Sequence, residues 1–211
     1  MIKVEKIEPW GFEHAIRGMR NPMNSWDKSD SEFKFNFDNE LEFMVGKNDL
    51  GLMRKLYKAG TEHRKYLRQI FVSMDITAPL YWWKEFDTYK VGTVANSCST
   101  MHKIHAKEFE LDDFSHEHLL SGAEDILQSV IDSLNNYRDL YLKTKDKDYW
   151  WQLIQLLPSS YNQKRTVTFT YENVVTMIRQ RTGHKLTEWE DFVALLHRLP
   201  YVEEIIDGSE T

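Results

Sequence analysis

Small hydroxyl-bearing residues cluster at positions 88–102, TYKVGTVANSCSTMH, directly after an aromatic stretch. Gly92 and the neighbouring backbone N–H groups can wrap a phosphate, because oriented backbone amides form anion-binding concavities. The same composition is also typical of an ordinary polar loop. On residue types alone, the segment is therefore either a site for a small anionic ligand or a solvated loop.

Two cationic stretches offer partners for such an anion. Lys164 and Arg165 are adjacent, and the Arg-Gln-Arg at 179–181 is followed by His184. Guanidinium groups bind phosphates and carboxylates through two parallel hydrogen bonds, which makes Arg more specific than Lys. A simpler explanation for the second stretch is a favourable interaction with the negative end of a helix.

The only cysteine, Cys98, is a candidate nucleophile, with a packed thiol or a substitute for a hydroxyl as the alternative. Four histidines are close enough in sequence for a metal to gather them: His102, His105, His116 and His118. Such polar histidines more often face solvent, so we expect no metal site. The local motifs of phosphate-loop hydrolases, dinucleotide-binding enzymes, serine hydrolases and zinc proteases are absent from the sequence.

Hydrophobic periodicity predicts the elements that position these residues. Alternating apolar residues indicate strands at 2–8 and 70–76, and β-branched residues indicate a third at 166–170. Helical spacing indicates helices at 12–19, 48–59, 80–86, 115–142, 150–157, 172–181 and 187–198. Gly60 is expected to end the second helix, Ala78-Pro79 to begin the third, and Thr187 with Glu190 to cap the last.

The segment 20–38 is rich in polar and turn-forming residues, which indicates an irregular excursion. Residues 17–26, RGMRNPMNSW, lie at its start and are a candidate lid over a ligand, with an ordered surface loop as the alternative.

Many helices and few strands predict an α+β fold, in which a small central sheet is flanked by long helices. No repeat or linker marks a boundary, so residues 1–211 are expected to form one domain with an acidic tail from about position 201. The aromatic content, with seven Trp, ten Tyr and eleven Phe, is high enough to support a packed core.

The charge balance limits the kinds of partner that the protein can bind. The 27 basic and 33 acidic residues give a formal net charge of −6, which opposes binding to DNA, RNA or an anionic membrane surface. No apolar run approaches the roughly 18–20 residues of a membrane span, and residues 1–10 lack the layout of a signal peptide. A lone cysteine cannot form an internal disulfide. We therefore expect a cytoplasmic protein.

The expected strand at 70–76 leads to Ala78-Pro79, the pair Lys84-Glu85, the triplet Thr88-Tyr89-Lys90, and Cys98. This order and spacing resemble the flavin-dependent thymidylate synthases. In that family the matching positions hold an Ala-Pro-type helix start, Arg-Gln, Arg-His-Arg and, after seven residues, Ser. The family's Arg two places beyond that Ser is Thr100 here. The spacing is kept while the residue types differ.

The C-terminal half is more similar to the same family, and the resemblance spans residues 48–192. The family has a Leu-Pro, a phosphate-binding Arg, a helix of the type Asn-Xaa-Arg-Ser-Leu that ends in a nucleotide-gripping Arg, then His and Ala-Gln-Trp-Glu. The matching residues here are Leu157-Pro158, Lys164-Arg165, Asn173, Arg181, His184 and Thr187-Glu188-Trp189-Glu190.

The resemblance implies a role for each matching residue. Arg181 is the expected catalytic residue, since it would pair with the pyrimidine edge and polarise the ring. Substrate would also contact Glu85, Lys90, Cys98, Ser99, Thr100 and, from a neighbouring subunit, Lys164 or Arg165. The cofactor would contact Thr88, Tyr89, Asn173 and His184.

The resemblance also implies FAD as the cofactor, NADPH and methylenetetrahydrofolate as co-substrates, and a homotetramer with sites between subunits. The reaction would transfer a one-carbon unit to a pyrimidine nucleotide, of the dUMP to dTMP type or a related modification. The alternative is a catalytically inactive, nucleotide-binding or regulatory relative without flavin, because Thr88-Tyr89-Lys90 replaces Arg-His-Arg. A purely structural oligomer is a third hypothesis.

Overall fold

The computed structural model describes residues 2–36 and 38–207 and has an α+β fold. Its strands are β1 (Lys3–Trp10), β2 (Glu32–Phe35), β3 (Leu41–Met44), β4 (Phe71–Pro79), β5 (Val94–Ser97) and β6 (Asn162–Thr170). Its helices are α1 (Phe12–Arg20), α2 (Lys47–Lys58), α3 (Leu80–Phe86), α4 (Ser121–Thr144), α5 (Lys147–Leu156), α6 (Tyr171–Arg181), α7 (Thr187–His197) and α8 (Val202–Ile206). Short 3-10 helices span Asn21–Met23, Trp26–Lys28, Lys65–Arg68 and Leu111–Asp113.

The main sheet has four strands in the order β1-β4-β6-β5. Successive side chains of a strand point to opposite faces, and in β4 the alternate residues Val72, Met74 and Ile76 are buried. The three predicted strands are confirmed as β1, β4 and β6. In contrast, β5 lies inside the predicted phosphate-binding segment and was not predicted as a strand. All four of its residues are exposed, so it has no buried face that an apolar alternation could indicate.

β2 and β3 form a separate antiparallel hairpin. Phe33 pairs with Phe43 and Phe35 with Leu41, so these four apolar residues share one face. Phe33, Phe35 and Leu41 are each more than half exposed. The expectation of an irregular segment at 20–38 is wrong for β2, since its apolar alternation spans only four residues and is interleaved with charges.

The chain divides into two compact units, the first comprising the described residues of Met1–Glu5, Asp75–Tyr89 and Ala95–Val167. In this unit α4 packs against α5. Its core cluster consists of Ile104, Phe109, Phe114, Leu127, Ile131, Leu134 and Leu153. The aromatic helix α3 adds Trp82, Trp83 and Phe86, which are buried in mutual ring contacts.

The second unit comprises the described residues of Lys6–Met74, Lys90–Val94 and Thr168–Thr211. In it α6 packs against α7, and α2 against α8. Val202 and Ile205 of α8 are fully buried, so the predicted acidic tail is wrong for residues 202–206. The end of that predicted tail, residues 208–211, lies outside the described residues.

Helix ends test the boundary predictions. Gly60 follows α2 with a φ of +104°, a conformation that glycine adopts without strain, and this confirms the predicted end of that helix. α4 begins at Ser121 rather than at 115, and the Ser115 N–H donates to the Ser160 carbonyl at 2.8 Å. The predicted capping box of α7 is wrong, since Leu186 is the N-cap and no side chain caps the helix.

A buried carboxylate organises the segment that follows α1. Asp49 of α2 is fully buried and accepts a hydrogen bond from the Arg20 Nε at 2.6 Å. It also accepts bonds from the Ser29 hydroxyl at 2.7 Å, the Ser31 hydroxyl at 2.6 Å, and the backbone N–H groups of Asp30 and Ser31, both at 3.1 Å. Burial raises the pKa of Asp49, but the hydrogen bonds outweigh it and hold that pKa below the ordinary value.

Replacing this carboxylate tests its contribution to folding. For Asp49→Ala we expect the free energy of unfolding to fall by about 3–5 kcal/mol, because the buried Arg20 guanidinium loses its charge partner. Urea denaturation at neutral pH measures the difference. Asp27→Ala is the matched control, since Asp27 is exposed on the same segment, and its effect should stay within about 0.5 kcal/mol.

The same carboxylate gives a pH dependence. Its folded pKa is depressed, so the stability it provides is present above the unfolded pKa of about 3.9 and is lost as the pH falls through the folded pKa. The stability difference between the native protein and Asp49→Asn should therefore shrink below about pH 4. A difference that stays constant during acidification would contradict this account.

Candidate functional site

Thr88 and Tyr89 end the α3 region of the first unit. The Thr88 hydroxyl donates to the Glu85 carbonyl at 2.7 Å, so it supplies a hydrogen-bond donor to a carbonyl group in the last turn of α3. The Tyr89 side chain is buried, with 8% of the residue exposed. Glu85 itself is partly exposed. Of the two predicted cofactor contacts in this segment, the Thr88 hydroxyl is thus bonded to the preceding helix and the Tyr89 side chain is buried.

Asn173 of α6 clamps residues 90–94 in the second unit. Its side-chain amide donates to the Val91 carbonyl and to the Thr93 hydroxyl, both at 2.8 Å. Between them, Gly92 has a φ of +73°, and a Cβ there would lie 3.0 Å from the Thr170 methyl group. Only glycine fits this close approach without strain. Asn173 therefore shapes the loop that was predicted to wrap a phosphate.

Lys90 begins that loop and has an exposed side chain. Within residues 2–36 and 38–207, no carboxylate forms an ion pair with it. An exposed ammonium group without a carboxylate partner is available to an anionic ligand.

Cys98, Ser99 and Thr100 follow β5 in the first unit. The Cys98 N–H donates to the Lys164 carbonyl at 2.9 Å, and its own carbonyl accepts from the Gln163 amide at 2.7 Å. The Ser99 hydroxyl accepts the N–H groups of Met101 and His102 at 3.2 and 2.9 Å. Thr100 is partly exposed. The Ser99 oxygen thus stabilises a local turn, whereas the Cys98 thiol is exposed.

Arg165 lies over an aromatic ring. Its guanidinium carbon is 4.2 Å from the centroid of Trp83, whose indole N–H donates to the Gln163 carbonyl at 2.9 Å. The Arg165 Nε donates to the Gln163 side chain at 3.0 Å, and Nη1 donates to Asp87 at 2.8 Å. In the described part of the chain Nη2 has no acceptor, so the guanidinium keeps donors for an anion.

Lys164 points to the other face of β6. Its ammonium group is 3.0 Å from an oxygen of Asp75 and 3.9 Å from one of Glu5. The hydrogen bond to Asp75 raises the pKa of Lys164. Asp75 also accepts the Thr166 hydroxyl at 2.6 Å. An anion at this position would compete with two carboxylates for one cation.

Lys164 and Arg165, either of which is predicted as the phosphate-binding cation, therefore lie in different surroundings. Side chains alternate along a strand, so adjacent residues of β6 face opposite sides of the sheet. The sequence contained this signal, since Val167 and Phe169 share the parity of Arg165. The partners Asp75, Asp87 and Trp83 carried no local signal, because they lie more than seventy residues earlier in the chain.

Arg181 and His184 meet where α6 ends in the second unit. The guanidinium of Arg181 lies 4.6 Å from the ring centroid of Trp189, and its Nη1 is 3.1 Å from the His184 Nε2. The His184 Nδ1 accepts the Leu186 N–H at 3.2 Å. Both ring nitrogens therefore face donors, and a neutral imidazole has one acceptor nitrogen to share between them. The Trp189 ring and the imidazole thus both lie next to the guanidinium.

Asn173 and Arg181 are eight residues apart on α6, which separates them by about 12 Å along the helix axis. The second unit thus contains two separate groups of the predicted site residues: Lys90 with Asn173, and Arg181 with His184.

The described residues lack two other kinds of site. Residues 2–36 and 38–207 contain no group of three or more His, Cys, Asp or Glu side chains placed to hold a metal ion. None of the helices in that part of the chain combines the length and the apolar character that a membrane crossing requires.

Comparisons with known proteins show the fold. No family model matches the chain, and no curated protein matches it. It is similar to a crystal structure of thymidylate synthase X (ThyX) from Helicobacter pylori with FAD and dUMP, with 15% identity and a TM-score of 0.67 over 98% of this chain and 100% of the other. A second structure of flavin-dependent ThyX from Helicobacter pylori with FAD and dUMP gives 16% identity and a TM-score of 0.69, over 99% and 100%. The chain therefore has a ThyX-like α+β fold.

Removing the clamp on residues 90–94 tests its role. For Asn173→Ala we expect a loss of about 1–3 kcal/mol in unfolding free energy, since two hydrogen-bond acceptors lose their donor. Amide hydrogen exchange should become faster at residues 91–94. Asn135→Ala is the matched control, because Asn135 makes two similar bonds to the Phe109 backbone at 2.8 and 2.9 Å. Equal exchange at 91–94 in the two variants would refute the clamp.

Proposed function

We propose that this protein binds a pyrimidine nucleotide of the dUMP type. The observation that carries the proposal is the ThyX-like fold, which extends over 98–99% of the chain and is shared with two structures that contain FAD and dUMP. Arg181 is the residue that would hold the pyrimidine. Its planar guanidinium lies next to Trp189 and His184 and would donate a charge-assisted hydrogen bond to a ring carbonyl oxygen.

The nucleotide phosphate has candidate partners on this chain. Lys90 is exposed and lacks a carboxylate partner among the described residues, so it contributes a full positive charge. Arg165 retains the donors of Nη2 while Trp83 and Asp87 fix its orientation. We place Arg165 ahead of Lys164, which is already paired with Asp75. In a homotetramer, this cation would reach the nucleotide of a neighbouring subunit.

The residues at the flavin positions fit that cofactor poorly. The Thr88 hydroxyl is used by the Glu85 carbonyl, and the Tyr89 ring is buried. The Asn173 amide, a third expected contact, donates both its bonds to residues 91 and 93. Thr88 and Tyr89 also replace the Arg and His that the family has at these two positions, and neither offers a charged, planar group. The arrangement favours a nucleotide-binding relative that lacks flavin.

A second candidate function is flavin-dependent transfer of a one-carbon unit to the same nucleotide, with NADPH and methylenetetrahydrofolate as co-substrates. The fold favours it, since both similar structures were solved with FAD as well as dUMP. In that reaction reduced FAD would supply hydride, and this chain would position and polarise the pyrimidine through Arg181.

Nucleotide binding is tested with one variant and its neighbour. We expect Arg181→Ala to weaken dUMP affinity by about tenfold to a hundredfold, because charge-assisted hydrogen bonds are lost. Isothermal titration calorimetry measures the affinity. Arg179→Ala is the matched control, since Arg179 is an exposed cation at the same helix end. Unchanged dUMP affinity in Arg181→Ala, with the thermal midpoint also unchanged, would refute the assignment.

The two candidates separate in a visible absorption spectrum. After incubation with FAD and dUMP and removal of unbound flavin, we expect no flavin band, because Thr88, Tyr89 and Asn173 are engaged elsewhere. A control incubation omits dUMP. It shows whether any retention of flavin depends on the nucleotide. A retained flavin band would contradict the proposal that the protein binds the nucleotide without flavin, and it would support one-carbon transfer.

A further inference from the structure

A pocket of about 330 Å³ lies within the second unit, between α1, the 3-10 turn Trp26–Lys28 and the β2–β3 hairpin. Its volume is at the small end of the range for ligand sites, which suits a ring system of nucleobase size. The residues that line the pocket include Glu13, Arg17, Trp26, Phe33 and Phe43. None of them belongs to the site proposed for the pyrimidine nucleotide.

One part of the pocket lining, called the floor below, is held by hydrogen bonds to the buried Asp49. Arg20, Ser29 and Ser31 line the pocket, and all three donate hydrogen bonds to the Asp49 carboxylate. Arg20 and Asp49 are 4% and 0% exposed. A floor held by a buried, charge-assisted network does not need to be ordered when a ligand binds, so less binding energy is lost.

Two aromatic rings stand at the pocket with large exposed areas. Trp26 is 50% exposed, and its indole N–H donates to the Asn21 side chain at 2.8 Å, which fixes the ring. Phe33 is 52% exposed and packs edge to face on Phe43, with ring centroids 5.1 Å apart. Oriented aromatic faces that remain in contact with water favour stacking of a flat ligand.

The polar groups of the pocket can read the edge of such a ligand. Glu13 and Arg17 are one helical turn apart on α1 and are both exposed. Neither forms an ion pair or side-chain hydrogen bond with any described residue. Arg20, in contrast, is neutralised by Asp49. The pocket therefore offers one free carboxylate acceptor beside one free guanidinium donor.

We propose that this pocket binds a flat nitrogen heterocycle of nucleobase size, whose edge carries both hydrogen-bond donors and acceptors. The ring stacks on Trp26 or Phe33, Arg17 donates to a ring carbonyl or ring nitrogen, and Glu13 accepts from a ring N–H or amino group. Guanine offers two adjacent donors, N1–H and the 2-amino group, which one carboxylate can accept together, and two acceptors, O6 and N7, for one guanidinium. Adenine offers a single amino group beside single ring-nitrogen acceptors.

Calorimetric titration of the full chain with GMP, and separately with AMP, tests the proposal. We expect GMP to bind more tightly than AMP. Trp26→Ala and Arg17→Gln should each weaken GMP binding by about tenfold or more, since a stacking surface or a charged donor is lost. Phe35→Ala is the matched control. Phe35 is a 70% exposed aromatic on the same hairpin that is not among the lining residues, so its removal should leave the affinity unchanged.

A further variant distinguishes this pocket from the proposed pyrimidine site. Arg181→Ala should leave GMP affinity unchanged while it weakens dUMP binding. Loss of GMP binding in Arg181→Ala, with binding retained in Trp26→Ala, would place GMP in the other site and overturn the proposal. Absence of GMP and AMP binding up to roughly 1 mM, where even weak complexes are detected, would also overturn it.

Discussion

Neighbouring residues of a β-strand face opposite sides of the sheet, and this constraint on β6 determines the layout of the candidate site. Gln163 and Arg165 turn toward the face where Val167 and Phe169 are fully buried. There, the Gln163 side chain is hydrogen-bonded to both the Cys98 carbonyl and the Arg165 guanidinium. The Trp83 ring contacts the same guanidinium. Lys164 and Thr166 turn the other way and meet Asp75. One strand thus prepares two electrostatic environments from adjacent residues.

These environments differ in how readily they accept an anion. At Lys164 the nearest carboxylate, Asp75, is mostly buried, so its attraction for the ammonium group is weakly screened and an incoming phosphate gains little. At Arg165 the partner Asp87 is half exposed, and solvent weakens the pair. The guanidinium also has more donors than Asp87 can use. In a protein with a net charge of −6, such local arrangements, rather than the overall field, decide where a phosphate binds.

The sequence predicted those features that depend on local periodicity. The α+β class, strand β4, helices α6 and α7, and the end of α2 at Gly60 all follow from apolar spacing and turn chemistry. β2 and α8 were missed for opposite reasons. β2 presents its phenylalanines to solvent, whereas α8 buries Val202 and Ile205 within a short acidic segment. Residue type and spacing predict the site residues, whereas their partners Asp75, Asp87 and Trp83 come from distant positions that only the folded chain brings close.

Cys98 gives the chain an unusual practical property. It is the only cysteine among 211 residues, its thiol is exposed, and its backbone is bonded on both sides to β6. A maleimide fluorophore or a nitroxide spin label would therefore attach to the native sequence at one position. That position is next to the strand that carries Lys164 and Arg165, and the label would report on events at these cations without any engineered cysteine.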